Sequence, residues 1–118
     1  MINYIPTQYD GAVAIKSGLA GASDSCPVNQ TTFESNLISN VYVIGDECKA
    51  KKCQKWGFSA NSHRKVNVAA FISLLNGEDP VSPSSANTFN SSVTPDQNIL
   101  VAAVYHFKDD SIVGVYGG

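Results

Sequence analysis

The chain has 118 residues, which is enough for a single domain or for a small part of a larger one. Hydrophobic residues make up 43% and charged residues 15%, so a hydrophobic core is expected and extended disorder is not. The net charge of −2 argues against a broad nucleic-acid-binding surface. The longest apolar run, residues 99–105, is far shorter than the roughly 20 residues that cross a bilayer.

Residues 1–6 lack the basic and apolar regions of a signal peptide. Residues 1–40 contain many turn-forming residues. Within them, the apolar spacing of residues 11–19 predicts one short helix. Residues 41–44 (Val-Tyr-Val-Ile) predict a short strand that is apolar on both faces, which is typical of the centre of a parallel sheet. This strand ends at Gly45-Asp46.

Residues 59–76 predict the longest helix, because their apolar side chains recur with helical spacing and form an amphipathic stripe. Ser59, Asn61 and Ser62 are suitable N-caps for this helix. Asn76-Gly77 supplies a stop signal at its other end.

Residues 78–97 are rich in proline and serine and predict an irregular crossing loop. Residues 99–107 and 111–116 are rich in β-forming residues and predict an antiparallel hairpin. The order of elements gives a mixed α/β to α+β fold.

Two local features could take part in binding. Asp46, at the end of a strand, could accept hydrogen bonds from sugar-like hydroxyl groups, although a simple Asx turn also explains the residue. The glycine turn before residue 59 delivers the N-terminus of the long helix, where the helix dipole favours partial negative charge. Ordinary capping by Ser59 is the alternative interpretation.

Three cysteines, Cys26, Cys48 and Cys53, cannot all pair within the chain. Cys48 and Cys53 with His63 could bind zinc, but their spacing lacks the paired C-x2-C pattern, and we predict no metal site. A Cys48–Cys53 disulfide and free thiols both remain open.

Several segments, in order along the chain, resemble the flavoprotein subunit of flavocytochrome c sulfide dehydrogenase. They are residues 2–6 (INYIP), 26–28 (CPV), 32–35 (TFES), 40–46 (NVYVIGD), 57–62 (GFSANS), 74–80 (LLNGEDP) and 101–105 (VAAVY). The resemblance extends over nearly the whole chain and corresponds to the C-terminal part of such a subunit. It implies a partial two-dinucleotide-binding flavoprotein fold. Residues 1–77 would form the C-terminal part of an FAD-binding domain, and residues 78–118 would form part of an interface or dimerisation domain.

The resemblance also implies roles for individual residues. Asp46 would bond the ribityl chain of FAD, and Gly45 would allow its close approach. Three residues, Gly57, Phe58 and Ser59, would line the pyrimidine edge of the flavin, and Pro6 would lie near the ring. In the family, sulfide is oxidised at the flavin and electrons pass to a c-type cytochrome subunit in the periplasm.

The chain departs from the family at several points. It contains no G-x-G-x-x-G motif for the ADP half of FAD. Phe89 stands where the family has a redox-active cysteine, and Glu47 and Trp56 replace small residues beside the flavin. We therefore predict a C-terminal fragment or truncated homologue that contributes to an FAD site, has no catalytic residue of its own and is inactive alone. The alternative is a module that has lost the cofactor and associates with itself through residues 99–116.

Overall fold

The computed structural model describes residues 4, 6, 9, 11–22, 25–49, 55 and 57–115. This part of the chain has two helices, α1 (Ala12–Lys16) and α2 (Gly57–Leu75), and a short 3-10 turn, Gly45–Glu47. Its strands are β1 (Cys26–Pro27), β2 (Cys48–Lys49), β3 (Ser84–Thr94), β4 (Gln97–Lys108) and β5 (Ser111–Val115). Strands β1 and β2 form a small parallel pair, and β3, β4 and β5 form an antiparallel sheet in that order. The architecture is α+β.

The predicted hairpin is confirmed, as strands β4 and β5. They are joined by Asp109 and Asp110, whose φ angles of 50° and 55° are both positive, as a tight two-residue hairpin turn requires. Aspartate tolerates this conformation better than most residues. Lys108 pairs with Ser111 to close the turn. The predicted end of the second strand, Tyr116, lies outside the described residues.

The predicted irregular loop over residues 78–97 is wrong for most of its length. Strand β3 fills it and pairs with β4 from Ser84 opposite His106 to Thr94 opposite Gln97. The serines and asparagines of β3 are weak strand formers, but β4 is strongly β-forming and offers a continuous edge. Strand formation depends more on such cross-strand pairing than on intrinsic preference.

The predicted central strand at residues 41–44 is also wrong. Only an isolated antiparallel bridge forms there, between Glu34 and Tyr42. Single backbone bonds on either side of it run from Ser35 N–H to Val41 O and from Val43 N–H to Phe33 O. A strand that is apolar on both faces needs covered neighbours on both sides, and the described residues provide no parallel partner for this segment. The parallel pairing occurs nearby instead, between β1 and β2.

The predicted long helix is confirmed as α2, although it begins at Gly57, before the predicted N-caps. Ser59, Asn61 and Ser62 therefore lie within its first two turns. At the other end, Gly77 N–H donates to Leu74 O and Glu78 N–H donates to Ser73 O. With Gly77 at φ +74°, this is the Schellman arrangement that ends a helix.

The predicted amphipathic stripe on α2 is wrong in detail. The side chains that face the rest of the protein are Ser59, His63, Val66, Ala70 and Ser73, which follow one another at helical spacing but are mostly small or polar. Large apolar residues of the same helix are partly or largely exposed, namely Phe58, Val68, Phe71, Ile72, Leu74 and Leu75. The helix is therefore held by close packing of small groups, with most of its large apolar side chains on the outer surface.

The core is a cluster of five buried residues, Val28, Phe33, Cys48, Tyr105 and Ile112. It draws on both the loop region before α2 and the C-terminal sheet. Helix α2 also bonds to the sheet, since Ser62 Oγ donates to Ala86 O at 2.8 Å. Our division at residue 77 stays a prediction.

The stop of α2 gives a first testable prediction. An added Cβ at Gly77 would meet nothing within 4 Å, and the same is true at Gly57, but only Gly77 has a positive φ. We expect Gly77→Ala to lower the free energy of unfolding by about 1 kcal/mol through backbone strain alone. The matched Gly57→Ala should be neutral or slightly stabilising. Urea unfolding followed by circular dichroism measures both, and equal effects from the two variants would contradict this account.

Candidate functional site

The structure brings together the two features that the sequence singled out. The Gly45–Glu47 turn packs against the first turn of α2: a Cβ at Gly45 would lie 3.4 Å from the Ala60 Cβ. The φ of +79° at Gly45 lets the backbone make this approach. Asp46, the next residue, is exposed. The residue before the exposed Asp46 therefore contacts the first turn of the long helix.

The predicted binding residues of α2 divide into two groups. Gly57 and Phe58 are exposed, and Phe58 lines a shallow depression between α2 and β3 together with Ser62 and Lys65. Ser59 is 0% exposed, and its Oγ has no hydrogen-bond partner among the described residues. Ser59 therefore points into the protein. Pro6 is exposed, and Trp56 lies outside the described residues.

Directly beneath the Gly45 turn is a buried polar cluster. Gly45 N–H donates to His63 Nδ1 at 3.3 Å, and Cys48 Sγ donates to Gly45 O at 3.1 Å. Cys48 Sγ also lies 3.7 Å from His63 Nδ1. The Phe33 ring stacks on the imidazole with 4.5 Å between ring centroids and 27° between planes. Phe33, Cys48 and His63 are each 1% exposed.

The environment of His63 keeps its ring neutral. Burial lowers the pKa of His63 below its ordinary value, and the negative charge of Asp46 only partly opposes this effect. The hydrogen bond from Gly45 N–H agrees with this, because it requires a lone pair on Nδ1. The remaining ring proton is then on Nε2.

This cluster is not predicted from the sequence, in which His63 stands only as a weak zinc ligand. The described residues contain no group of three or more side chains that could hold a metal ion. A signal was present in the spacing of Ser59 and His63, which places both on one face of α2. What could not be seen was that Phe33 and Cys48 would meet that face.

Glu47, which the resemblance places beside the flavin, bonds to the residue that precedes α1. Its carboxylate accepts the backbone N–H of Gly11, with Gly11 N at 2.9 Å from Oε1 and 3.2 Å from Oε2. Gly11 immediately precedes α1, whose first N–H groups lack partners within the helix. The role of this residue is thus to fix a short helix to the Gly45–Glu47 turn.

No protein-family model matches the chain. The resemblance to the flavocytochrome c sulfide dehydrogenase flavoprotein therefore stays a prediction. Neither described helix has the combination of length and apolar character needed to cross a membrane.

Proposed function

We propose that this chain supplies the ribityl and pyrimidine side of an FAD site of the sulfide dehydrogenase type. The observation that supports the proposal is the contact between the Gly45 turn and the first turn of α2. Asp46, which is exposed, directly follows the residue in this contact, so that in our proposal a hydroxyl donor and an electron-rich ring edge are bound at adjacent positions. Gly57 and Phe58 are exposed in the same first turn of α2.

In this proposal the chain binds flavin weakly and does not catalyse alone. The 118 residues contain no glycine-rich motif for the pyrophosphate and adenosine of FAD, so a second polypeptide region must hold that half. Sulfide oxidation, transfer of electrons to a c-type cytochrome and a periplasmic location belong to the complete assembly. The chain contributes cofactor contacts to it.

Titration of the isotope-labelled chain with riboflavin, followed by amide NMR, tests the site. Riboflavin carries the ribityl chain and the ring but no ADP. We expect shifts concentrated at residues 45–46 and 57–60, with a dissociation constant on the order of 1 mM. Asp46→Asn should weaken binding about tenfold through loss of a charge-assisted hydrogen bond.

Two controls make this test specific. Asp79→Asn removes another exposed carboxylate, located after α2, and should leave riboflavin binding unchanged. ADP alone should cause no shifts at residues 45–46. Absence of riboflavin shifts at these positions would contradict the site, and tight stoichiometric binding of FAD by the isolated chain would contradict its proposed incompleteness.

A second candidate function is self-association through the hairpin. Ile99, Leu100 and Val101 are successive residues of β4, so they point to alternate faces, and they are 53%, 63% and 42% exposed. Apolar side chains exposed on both faces of a sheet are typical of a surface that is covered by a partner. Sedimentation velocity at several concentrations distinguishes the two: a strict monomer would exclude the self-associating module.

A further inference from the structure

The register of the small parallel sheet places two buried cysteines opposite one another. Cys26 of β1 pairs directly with Cys48 of β2. They are 0% and 1% exposed, and both are thiols in this structure. Neighbouring strands are about 5 Å apart, which lies within the range of Cα separations that a disulfide bridges. Side chains of directly opposed residues also point to the same face of a sheet.

One of these thiols lies beside a base. The Cys48 Sγ to His63 Nδ1 distance is 3.7 Å, within reach of a hydrogen bond to sulfur. Nδ1 of the neutral His63 has one lone pair, which accepts Gly45 N–H, while the Cys48 thiol donates to Gly45 O. The thiol proton can pass to Nδ1 only when these two bonds to Gly45 open. Only the thiolate form of a cysteine is a strong nucleophile, so a neighbouring imidazole is the usual means of activating one.

We infer that Cys26 and Cys48 form a reversible redox pair. Cys48 is the attacking thiol and Cys26 is the resolving thiol. His63 is the base that accepts the proton of the Cys48 thiol. The oxidant is hydrogen peroxide. Cys48 passes its proton to His63, and the thiolate attacks one peroxide oxygen, which breaks the O–O bond and gives a sulfenic acid. The leaving hydroxide takes the proton from His63 and departs as water.

In the second step the Cys26 sulfur attacks the Cys48 sulfenic sulfur. The S–S bond forms, the S–O bond breaks, and the hydroxyl leaves as a second water with the Cys26 proton. The two thiols lose two electrons in total, and the peroxide gains them. A dithiol reductant reverses the reaction. This pairing differs from the Cys48–Cys53 disulfide that the sequence left open.

Peptide mapping of the whole chain distinguishes the pairings. Trypsin cuts after Lys16 and Lys49 and releases residues 17–49, which carry both Cys26 and Cys48, whereas Cys53 is released in residues 53–55. After mild treatment with hydrogen peroxide, blocking of remaining thiols and digestion without reductant, we expect the 17–49 peptide to be lighter by two hydrogen atoms and unblocked. Cross-linking of this peptide to residues 53–55 would overturn the proposal.

Variants test each role. Cys53→Ser should still form the internal bond and is the matched control, whereas Cys26→Ser should lose it and leave Cys48 open to overoxidation. His63→Gln keeps an acceptor for Gly45 N–H and should slow disulfide formation at neutral pH by about tenfold or more. If His63→Gln only loosened the core, the cysteines would be oxidised faster. An unchanged or faster rate of disulfide formation in His63→Gln would therefore overturn the role of His63 as a base. Circular dichroism verifies that each variant is folded.

Discussion

Replacing Phe33 by alanine is expected to lower the free energy of unfolding by about 3–5 kcal/mol, the usual effect of emptying a buried aromatic position. Phe33 is 1% exposed and belongs to the core cluster. Its ring also covers His63, so the substitution opens the buried polar cluster as well as a cavity. Since small domains are stable by only about 5–15 kcal/mol, this loss is a large fraction of the total stability.

The backbone of Phe33 adopts an unfavourable conformation. Its φ of 61° is in the left-handed region, which is unfavourable by roughly 1 kcal/mol for a residue with a side chain. Phe33 N–H donates to Asn29 O, and Phe33 O accepts from Val43 N–H, which keeps the backbone in this conformation. Burial of the ring offsets the strain.

Denaturant unfolding at equilibrium measures the effect, with Phe58→Ala as the matched control. Phe58 is 44% exposed and lies outside the core cluster, so its removal should change the free energy of unfolding by less than about 1 kcal/mol. Similar losses from the two variants would show that Phe33 is not the centre of the packing.

The second large effect is expected at His63. His63→Ala should lower the free energy of unfolding by about 2–4 kcal/mol near pH 7.5, because it leaves a cavity under Phe33 and removes the acceptor of the Gly45 N–H bond.

The contribution of His63 should also depend on pH in a defined direction. Burial lowers the pKa of His63 in the folded protein below 6.5, against the opposing charge of Asp46, while the unfolded chain keeps the ordinary value. Between the two pKa values the unfolded chain binds more protons. The stabilisation is therefore complete above about pH 6.5 and is lost as the pH falls from there toward the folded pKa.

Urea unfolding of the wild-type chain across this pH range should show the decline, and His63→Ala should reduce it. His106→Ala is the control, because His106 is exposed on β4. Carboxylates that titrate in the same range are common to all three proteins and cancel in the comparison. An identical pH dependence in the wild type and His63→Ala would contradict a buried neutral histidine.

Gly45 links the inner and outer parts of this region. Its N–H and C=O bond to His63 and Cys48 inside the protein, and it immediately precedes the exposed Asp46. The proposed flavin contact and the proposed redox pair therefore share one turn. Oxidation of Cys48 could be detected as a change in the amide signals of this turn, which the riboflavin titration also monitors.

Elements whose signals are local can be predicted from the sequence. Asp109 and Asp110 indicate a tight turn between two β-forming runs, and Asn76-Gly77 ends α2, because backbone conformation at these positions depends mainly on the residues present there. The Gly45-Asp46 pair also indicates a turn, which the structure has at Gly45–Glu47. These features need no knowledge of distant partners.

Contacts between distant segments are seen only in the tertiary structure. Polar residues 84–94 became a strand because β4 lies beside them, and the apolar residues 41–44 did not become one because no parallel partner flanks them. In the same way, Phe33, Cys48 and His63 are separated along the chain and share no motif. They come into contact because α2 packs against the Gly45 turn. Long-range packing of this kind depends on the whole chain and cannot be predicted from a local pattern.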